Sequence, residues 1–179
     1  MSPITKQTIA IIGSSSPIGT FIAKGLCRSN YRLLLFEENC DDARLLSDEI
    51  TESFNGTDVE FLDCSHQASW EADVIIIASQ DSVLKEISEK IKDVVTQKTI
   101  AVTLDSESKT ALKVAESYFP YSKVVGMISS KNEPDNIILL SEHTSALNII
   151  QEMLFQTDIK TTIKVQTNYS GVHIQTPGV

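Results

Sequence analysis

The sequence is short of positive charge. Its 179 residues include 15 Lys and Arg against 24 Asp and Glu, which gives a formal net charge of -9 at pH 7. Nucleic acid and anionic membrane surfaces are polyanions, and proteins that bind them need basic side chains to neutralise that charge. The charge balance therefore predicts no nucleic-acid partner and no membrane partner. It favours a small molecule or another protein.

Cysteine and long apolar runs are also scarce. Cys27, Cys40 and Cys64 lie in separate segments without a CxxC spacing, so neither a disulfide framework nor a metal site is indicated. No apolar run approaches the roughly 18 residues that a membrane-spanning helix needs. The opening MSPITKQ is too short and too polar for a secretion signal. We therefore expect a soluble, cytoplasmic protein.

Apolar runs rich in β-branched residues alternate with amphipathic segments along the chain. TIAIIG at 8–13 and ADVIIIAS at 72–79 are typical of buried strands, and residues 17–28 carry one apolar face at helical spacing. This alternation predicts an α/β fold, a Rossmann-like, doubly wound, mainly parallel sheet with helices on both faces. The other predicted strands are 31–37, 59–64, 99–105, 123–129, 136–141 and 161–166. The other predicted helices start near Asp42 and at a cap on Asp81, cover about 109–119, and run through Leu147, Ile150 and Leu154.

The length and composition suit one domain. With 41% hydrophobic and 22% charged residues, 179 residues can bury one substantial core, and a second domain has little room. We assign 1–167 to a single domain and 168–179 to a C-terminal tail without periodicity. The tail is either loose or docked on a partner subunit, which would make the protein a homodimer.

The segment IIGSSSPIGTFIAKG, residues 11–25, has the layout of a nucleotide-binding turn, with a buried strand, a tight loop and a helix. Gly13 follows the strand directly and can adopt backbone angles that a Cβ forbids. Gly19 lies one turn into the helix, where a side chain would push helix and strand apart. Pro17 suits the first helical position, because its missing N–H would have had no helical partner.

Serines stand where such a loop usually has glycines. A Cβ at Ser14, Ser15 or Ser16 restricts the approach of a pyrophosphate, although a serine hydroxyl can donate a hydrogen bond to a phosphate oxygen in return. Two interpretations stay open. The loop either binds the phosphates of a dinucleotide, or its serines only cap the helix.

An acidic residue ends the second predicted strand. In dinucleotide-binding folds an acid about 20 residues beyond the glycine turn binds the adenosine ribose and repels the extra phosphate of NADP. Glu37 lies 18 residues after Gly19, and the first arginine after it is Arg44. The pattern favours NAD over NADP, unless Glu37 and Glu38 are only a solvated strand end.

The stretch TIAIIGSSSPIGTFIAKGL resembles the opening of the deazaflavin-coenzyme-dependent NADP oxidoreductases, whose loop often reads GGTGPLG. Gly13, Pro17 and Gly19 match that loop directly and Ile18 matches it conservatively. Glu37 and Glu38 replace the family's NADP-specific Ser and Arg. The resemblance implies that the loop, Ile18 included, binds the dinucleotide.

Residues 71–106 are similar to the ADVVILAVP strand, helix and next strand of the 6-phosphogluconate dehydrogenase-like superfamily. There the loop after the fourth strand passes beside the nicotinamide ribose, a position that Ala78, Ser79 and Gln80 take here. The order of segments from residue 102 onward also resembles the nucleotide domain of prephenate dehydrogenases. The run at 124–128 lacks their histidine, however, and we expect no separate substrate domain.

Catalytic constellations are weak. His66, His143 and His173 lie far apart without metal-ligand spacing, and no nucleophile elbow or nucleoside triphosphate loop is present. No Tyr-x-x-x-Lys pair supports a short-chain dehydrogenase. Two functions stay open. One is an NAD(P)-dependent oxidoreductase with unassigned catalytic residues, for which Ser79 or Asp105 could serve if a second subunit does not. The other is a non-catalytic Rossmann protein that senses a nucleotide or is purely structural.

Overall fold

The computed structural model describes residues 6–129, 136–157, 159–166 and 172–175. The strands are β1 (Gln7–Ile12), β2 (Tyr31–Phe36), β3 (Asp58–Phe61), β4 (Val74–Ile77), β5 (Thr99–Thr103), β6 (Lys123–Ser129), β7 (Asn136–Ser141), β8 (Lys160–Gln166) and β9 (Val172–Gln175). The helices are α1 (Pro17–Leu26), α2 (Cys40–Ser53), α3 (Ser65–Glu71), α4 (Asp81–Ile91), α5 (Lys109–Tyr118) and α6 (Thr144–Phe155).

The strands form one sheet in the order β3-β2-β1-β4-β5-β6-β7-β8-β9. Pairing is parallel from β3 through β6 and between β7 and β8, and it is antiparallel at β6–β7 and β8–β9. This confirms the predicted mainly parallel α/β sheet. The chain winds outward from β1 to β3 and then starts again at β4 on the other side of β1. The strand order therefore reverses between β1 and β4, where the carboxyl ends of doubly wound strands leave a crevice.

Two apolar cores cover the two faces of the sheet. Along β1, Ile9 and Ile11 pack into a cluster with residues of α1, α2 and α6, while Ala10 and Ile12 pack into a second cluster with residues of α3, α4 and α5. Successive strand residues point to opposite faces, so a strand buried on both faces reads as a continuous apolar run. The sequence QTIAII of β1 and VIII of β4 have that form.

Three local predictions differ from the structure. Asp81 is the first residue of α4, and Gln80 occupies the cap position without a side-chain cap bond. Helix α3 was not predicted, because its seven residues SHQASWE are too few to show an apolar period. The tail contains β9, which pairs with β8 in the register Val165 to His173. No described helix is long and apolar enough to cross a membrane.

Candidate functional site

Gly13 forms the turn between β1 and the loop. Its φ is +80°, in the left-handed region that glycine adopts without strain. Its N–H donates to the Phe36 carbonyl at 3.0 Å. A Cβ at this position would lie 2.6 Å from the Ala78 carbonyl oxygen, so the backbone of the loop approaches the end of β4 as closely as contact permits. The turn needs glycine on both grounds.

Gly19 lets α1 pack against the loop. A Cβ there would lie 2.3 Å from the Gly13 carbonyl oxygen and 2.9 Å from the Ser16 Oγ. Gly19 is a buried residue in the first turn of α1. The two glycines that the sequence singled out thus fix a single loop geometry.

Ser16 and Pro17 start α1 as expected. Ser16 is the N-cap, and its Oγ accepts from the Gly19 N–H at 3.1 Å and donates to the Gly13 carbonyl at 2.8 Å. Pro17 is the first helical residue. A side-chain oxygen that accepts from a free N–H of the first turn stabilises a helix by about 1 kcal/mol. The hydroxyl of Ser16 is therefore committed within the loop.

Ser15 bonds to Glu37. The Ser15 backbone N–H and hydroxyl both donate to one oxygen of the Glu37 carboxylate, at 3.2 and 2.7 Å. The other carboxylate oxygen accepts from the Glu38 N–H at 3.1 Å. The acid that the sequence placed near an adenosine ribose thus lies against the phosphate-loop serine. Glu37 is 22 residues from Ser15, and no local pattern in the sequence signals this pairing.

Few donors of the loop are left for a phosphate. Ser14 is fully buried, and its Oγ makes no hydrogen bond among the described residues. The Ser14 N–H donates to the Phe36 carbonyl, and the Ser16 N–H to the Gly13 carbonyl. Pro17 has no N–H. Within this loop the backbone N–H of Ile18 is the one without a described partner.

A side pocket of about 210 Å³ lies beyond Gly13, at the carboxyl ends of β1 and β2. Glu37, Glu38 and Glu86 line it together with Lys90. Lys90 forms ion pairs of 2.8 Å with both Glu38 and Glu86, and these bonds hold the pKa of Lys90 above its usual value. This pocket is acidic on balance and lies beside the predicted adenosine acid.

The main cleft, of about 660 Å³, lies between the start of α1 and the carboxyl ends of β4, β5 and β6. A pocket of this size falls within the range of ligand sites in proteins, about 300–1,000 Å³. Its walls are mostly apolar. The lining residues are Ser16, Pro17, Ile18, Phe21, Ala78, Ser79, Gln80, Thr103, Leu104, Asp105, Met127, Ser129 and Ile137.

Ala78, Ser79 and Gln80 follow β4 at the junction of the two cavities. Ala78 is buried and Gln80 is exposed, and all three line the main cleft. Ser79 lines both cavities, and its Oγ is enclosed without a hydrogen-bond partner among the described residues. The Thr103 hydroxyl donates to the Ser79 carbonyl and fixes the loop from β5. The resemblance placed these residues beside a ligand, and the structure places them at the crevice.

Two carboxylates meet where α4 begins. The Asp105 N–H donates to Asp81 Oδ2 at 3.4 Å, and Asp81 Oδ1 is enclosed without a partner in the described chain. Desolvation raises the pKa of Asp81, and the charge of Asp105 raises it further, while the hydrogen bond from Asp105 opposes the shift. Asp105 lines the main cleft. The sequence predicted Asp81 only as a helix cap. Its contact with Asp105 arises because Asp81 follows β4 and Asp105 follows β5, and these two strands are neighbours in the sheet.

The other candidates lie apart from the crevice. His66 is exposed, with Nε2 at 3.2 Å from the Asp93 carboxylate, and His143 is exposed at the start of α6. The side chain of His173 lies outside the described part. Among the described residues no cluster of three His, Cys, Asp or Glu side chains could hold a metal ion.

Comparison with known proteins identifies the fold. No protein-family model and no curated protein matches the sequence. Among solved structures, a pyrroline-5-carboxylate reductase from Coxiella burnetii is similar over 92% of this chain and 60% of its own, with a TM-score of 0.71 and 14% identity. A glycerol-3-phosphate dehydrogenase from the same organism is similar over 88% of this chain and 54% of its own, at 0.69 and 16%.

A prephenate dehydrogenase from A. aeolicus, solved with hydroxyphenyl propionate and NAD+, is similar over 92% of this chain and 61% of its own, with a TM-score of 0.69 and 14% identity. The chain spans three fifths or so of the length of these enzymes. Structural similarity at these low identities establishes the fold alone. It is the Rossmann-like fold that these dehydrogenases and reductases share.

Proposed function

We propose that the chain binds a nicotinamide dinucleotide, NAD in preference to NADP, as the nucleotide-binding domain of an oxidoreductase. One observation carries the proposal. The side pocket and the main cleft share Ser79 and are lined by residues that follow β1 and β4, between which the strand order reverses and where such folds bind their ligand. The three structurally similar enzymes named above are dehydrogenases or reductases, and one of them was solved with NAD+.

The residues at the crevice suit a dinucleotide in three respects. Gly13 and Gly19 remove the side chains that would fill the turn. Ile18 offers, at a helix N-terminus, an N–H with no partner among the described residues, and such an N–H favours an anion. The enclosed Ser79 hydroxyl likewise has no partner in the described part of the chain, and a polar ligand group would satisfy it.

In this proposal the side pocket takes the adenosine and the main cleft takes the nicotinamide. Glu37 would accept hydrogen bonds from the adenosine ribose, and Ala78, Ser79 and Gln80 would line the nicotinamide side. The bound cofactor would supply hydride transfer, whereas the protein supplies orientation. Ser79 and Asp105 line the main cleft and are the candidates for a catalytic role there.

A second candidate is a Rossmann protein that does not bind a dinucleotide. The contact of Ser15 with Glu37 and the internal bonds of Ser16 favour it, because they use donors that a pyrophosphate needs. A carboxylate already lies against the loop. A dinucleotide would have to displace it or bind through fewer contacts.

Calorimetric titration with NAD and NADP, in the wild type and in two matched variants, tests the choice. We expect NAD to bind about tenfold more tightly than NADP, because a charge of the same sign as the 2′-phosphate stands at Glu37. Glu37→Gln should weaken NAD binding and abolish the preference. Glu89→Gln removes the same charge from an exposed side chain of α4 that pairs with Lys92 and lines neither cavity, and it should leave the preference intact.

Three results would count against the proposal. The absence of heat with any dinucleotide at millimolar concentration would favour the second candidate. If the two variants changed the NAD and NADP affinities equally, Glu37 would not contact the dinucleotide. Tighter binding of NADP than NAD by the wild type would reverse the cofactor assignment.

A further inference from the structure

The charge of the main cleft is one-sided. Among the described residues that line it, Asp105 is the single ionisable side chain. A second acid, Asp81, accepts a hydrogen bond from the Asp105 backbone N–H. Lys164 of β8 is paired with the Glu107 carboxylate and does not line the cleft. The described lining therefore contains no cation to receive a carboxylate or a phosphate.

The rest of the lining is apolar with a few hydrogen-bonding groups. Phe21, Ile18, Met127 and Ile137 present hydrocarbon, and Phe21 is 40% exposed although it lies on the wall of a cavity. Ser79 contributes an enclosed hydroxyl without a partner in the described chain. Ligand sites usually combine such walls with a small number of polar groups that fix orientation. This cleft is therefore suited to a compact apolar molecule with one polar end.

We propose that the main cleft selects an apolar amine in its ammonium form and discriminates against carboxylates and phosphate esters of the same shape. The proposal rests on the proposed function, which places the nicotinamide in this cleft and so requires a substrate to lie beside it there, and it names the class of that substrate. Asp105 supplies the attraction, and the apolar wall accepts the hydrocarbon body. A carboxylate in the same place would meet Asp105 with no described cation to offset the repulsion.

Residues 130–135 follow the cleft residue Ser129 in the sequence and lie outside the described residues. Their sequence SKNEPD contains one lysine and two acids, so it carries no net positive charge.

Three probes of one shape and different charge test the proposal: cyclohexylamine, cyclohexanol and cyclohexanecarboxylate. Each is titrated into the full chain at neutral pH and low salt, and its dissociation constant is read from amide NMR shifts of cleft residues. Cyclohexylamine should bind at least about tenfold more tightly than the carboxylate, with the alcohol between them, because Asp105 attracts the ammonium group and repels the carboxylate. About 1 M salt should reduce the difference.

Asp105→Asn should abolish the order of affinity and leave cyclohexanol binding unchanged. Glu107→Gln is the matched control, since it removes the same charge two residues away, on a side chain that pairs with Lys164 and does not line the cleft. This variant should retain the order. Equal affinity of the three probes, or tighter binding of the carboxylate, would overturn the proposal.

The same titrations are repeated with NADH present. Failure of NADH to bind would remove the proposed function, yet the order of probe affinities would still be measured and would still test the cleft. Conversely, if NADH binds and the cleft prefers cyclohexanecarboxylate to cyclohexylamine, the proposal of dinucleotide binding stands and the proposal of an amine substrate is rejected. The two failures are therefore distinguishable.

Discussion

Gly13 and Gly56 have nearly the same backbone conformation, with φ of +80° and +81°, but different surroundings. A Cβ on Gly13 would meet the Ala78 carbonyl at 2.6 Å, whereas a Cβ on Gly56 would have nothing within 4 Å. The pair separates backbone strain from the close approach of the loop to β4.

We expect Gly56→Ala to lower the free energy of unfolding by about 1 kcal/mol, the cost of a left-handed residue with a side chain. Gly13→Ala should cost about 1–3 kcal/mol more, because it also forces atoms apart in a packed site. Chemical denaturation of both variants measures the difference. Equal losses would show that the loop has room beside Ala78.

Asp81 makes stability depend on pH. Desolvation raises its pKa in the folded protein. The contribution of Asp81 to stability is therefore fully present below its ordinary pKa and is lost as pH rises through the raised value. Asp81→Asn stays neutral, so we expect the variant to gain stability relative to the wild type as pH rises from acid to neutral.

Denaturation of both proteins across that pH range checks this expectation. Glu89→Gln is the control of opposite sign, because its hydrogen bond to Lys92 lowers the pKa of the exposed Glu89. That variant should show no gain toward neutral pH. A flat difference for Asp81→Asn would mean that the Asp81 carboxyl is well solvated.

At the residue scale the sequence predicts the single positions better than the pairs. Gly13, Pro17 and Gly19 lie where their backbone chemistry requires them, since those requirements are local. The contact between Ser15 and Glu37 joins the ends of two strands and depends on the parallel pairing of β1 with β2. The enclosed carboxyl of Asp81 depends in the same way on β4 and β5. No local pattern contains either contact.

At the scale of elements, helices α1 and α5 share a serine cap with different neighbours. Ser16 accepts from Gly19 N–H in the loop, and Ser108 accepts from Thr110 N–H at 3.2 Å, away from Gly13. Ser16→Ala and Ser108→Ala should each cost about 1 kcal/mol of unfolding free energy. Only Ser16→Ala should weaken NAD binding, because only it loosens the loop.

Calorimetry with NAD and denaturation on the same two variants separate the effects. A loss of NAD affinity in both would attribute the change to general instability. Unchanged affinity in Ser16→Ala would show that the Ser16 hydroxyl does not organise the phosphate loop.

The elements that sequence reasoning found and missed differ in length and apolar content. Strands such as β4, with four buried apolar residues in a row, are evident from composition alone. Helix α3 buries only Ser65, Ala68 and Ser69, which are small and partly polar, so it has no apolar stripe. Strand β9 pairs with β8, and such pairing depends on tertiary structure more than on the sequence of the strand itself.

At the scale of the whole molecule, two cores enclose a single sheet, and both cavities open where its strand order reverses. The doubly wound architecture follows from the sequence because the alternation of strand and helix patterns extends over most of the chain. The site does not follow to the same degree, since a crevice is assembled from the ends of several strands. The chain spans about three fifths of the length of the structurally similar enzymes.

The most direct test of the central claim is an amide-resolved NMR titration of the full chain with NAD, up to about 5 mM so that even a dissociation constant near 1 mM gives a clear shift. We expect saturable shifts at Ile18, Gly19, Ser79 and Gln80, together with Ser15 as its contact with Glu37 changes. Helix α5 should stay unaffected. No shifts at that concentration, or shifts confined to residues away from the two cavities, would contradict dinucleotide binding at this crevice.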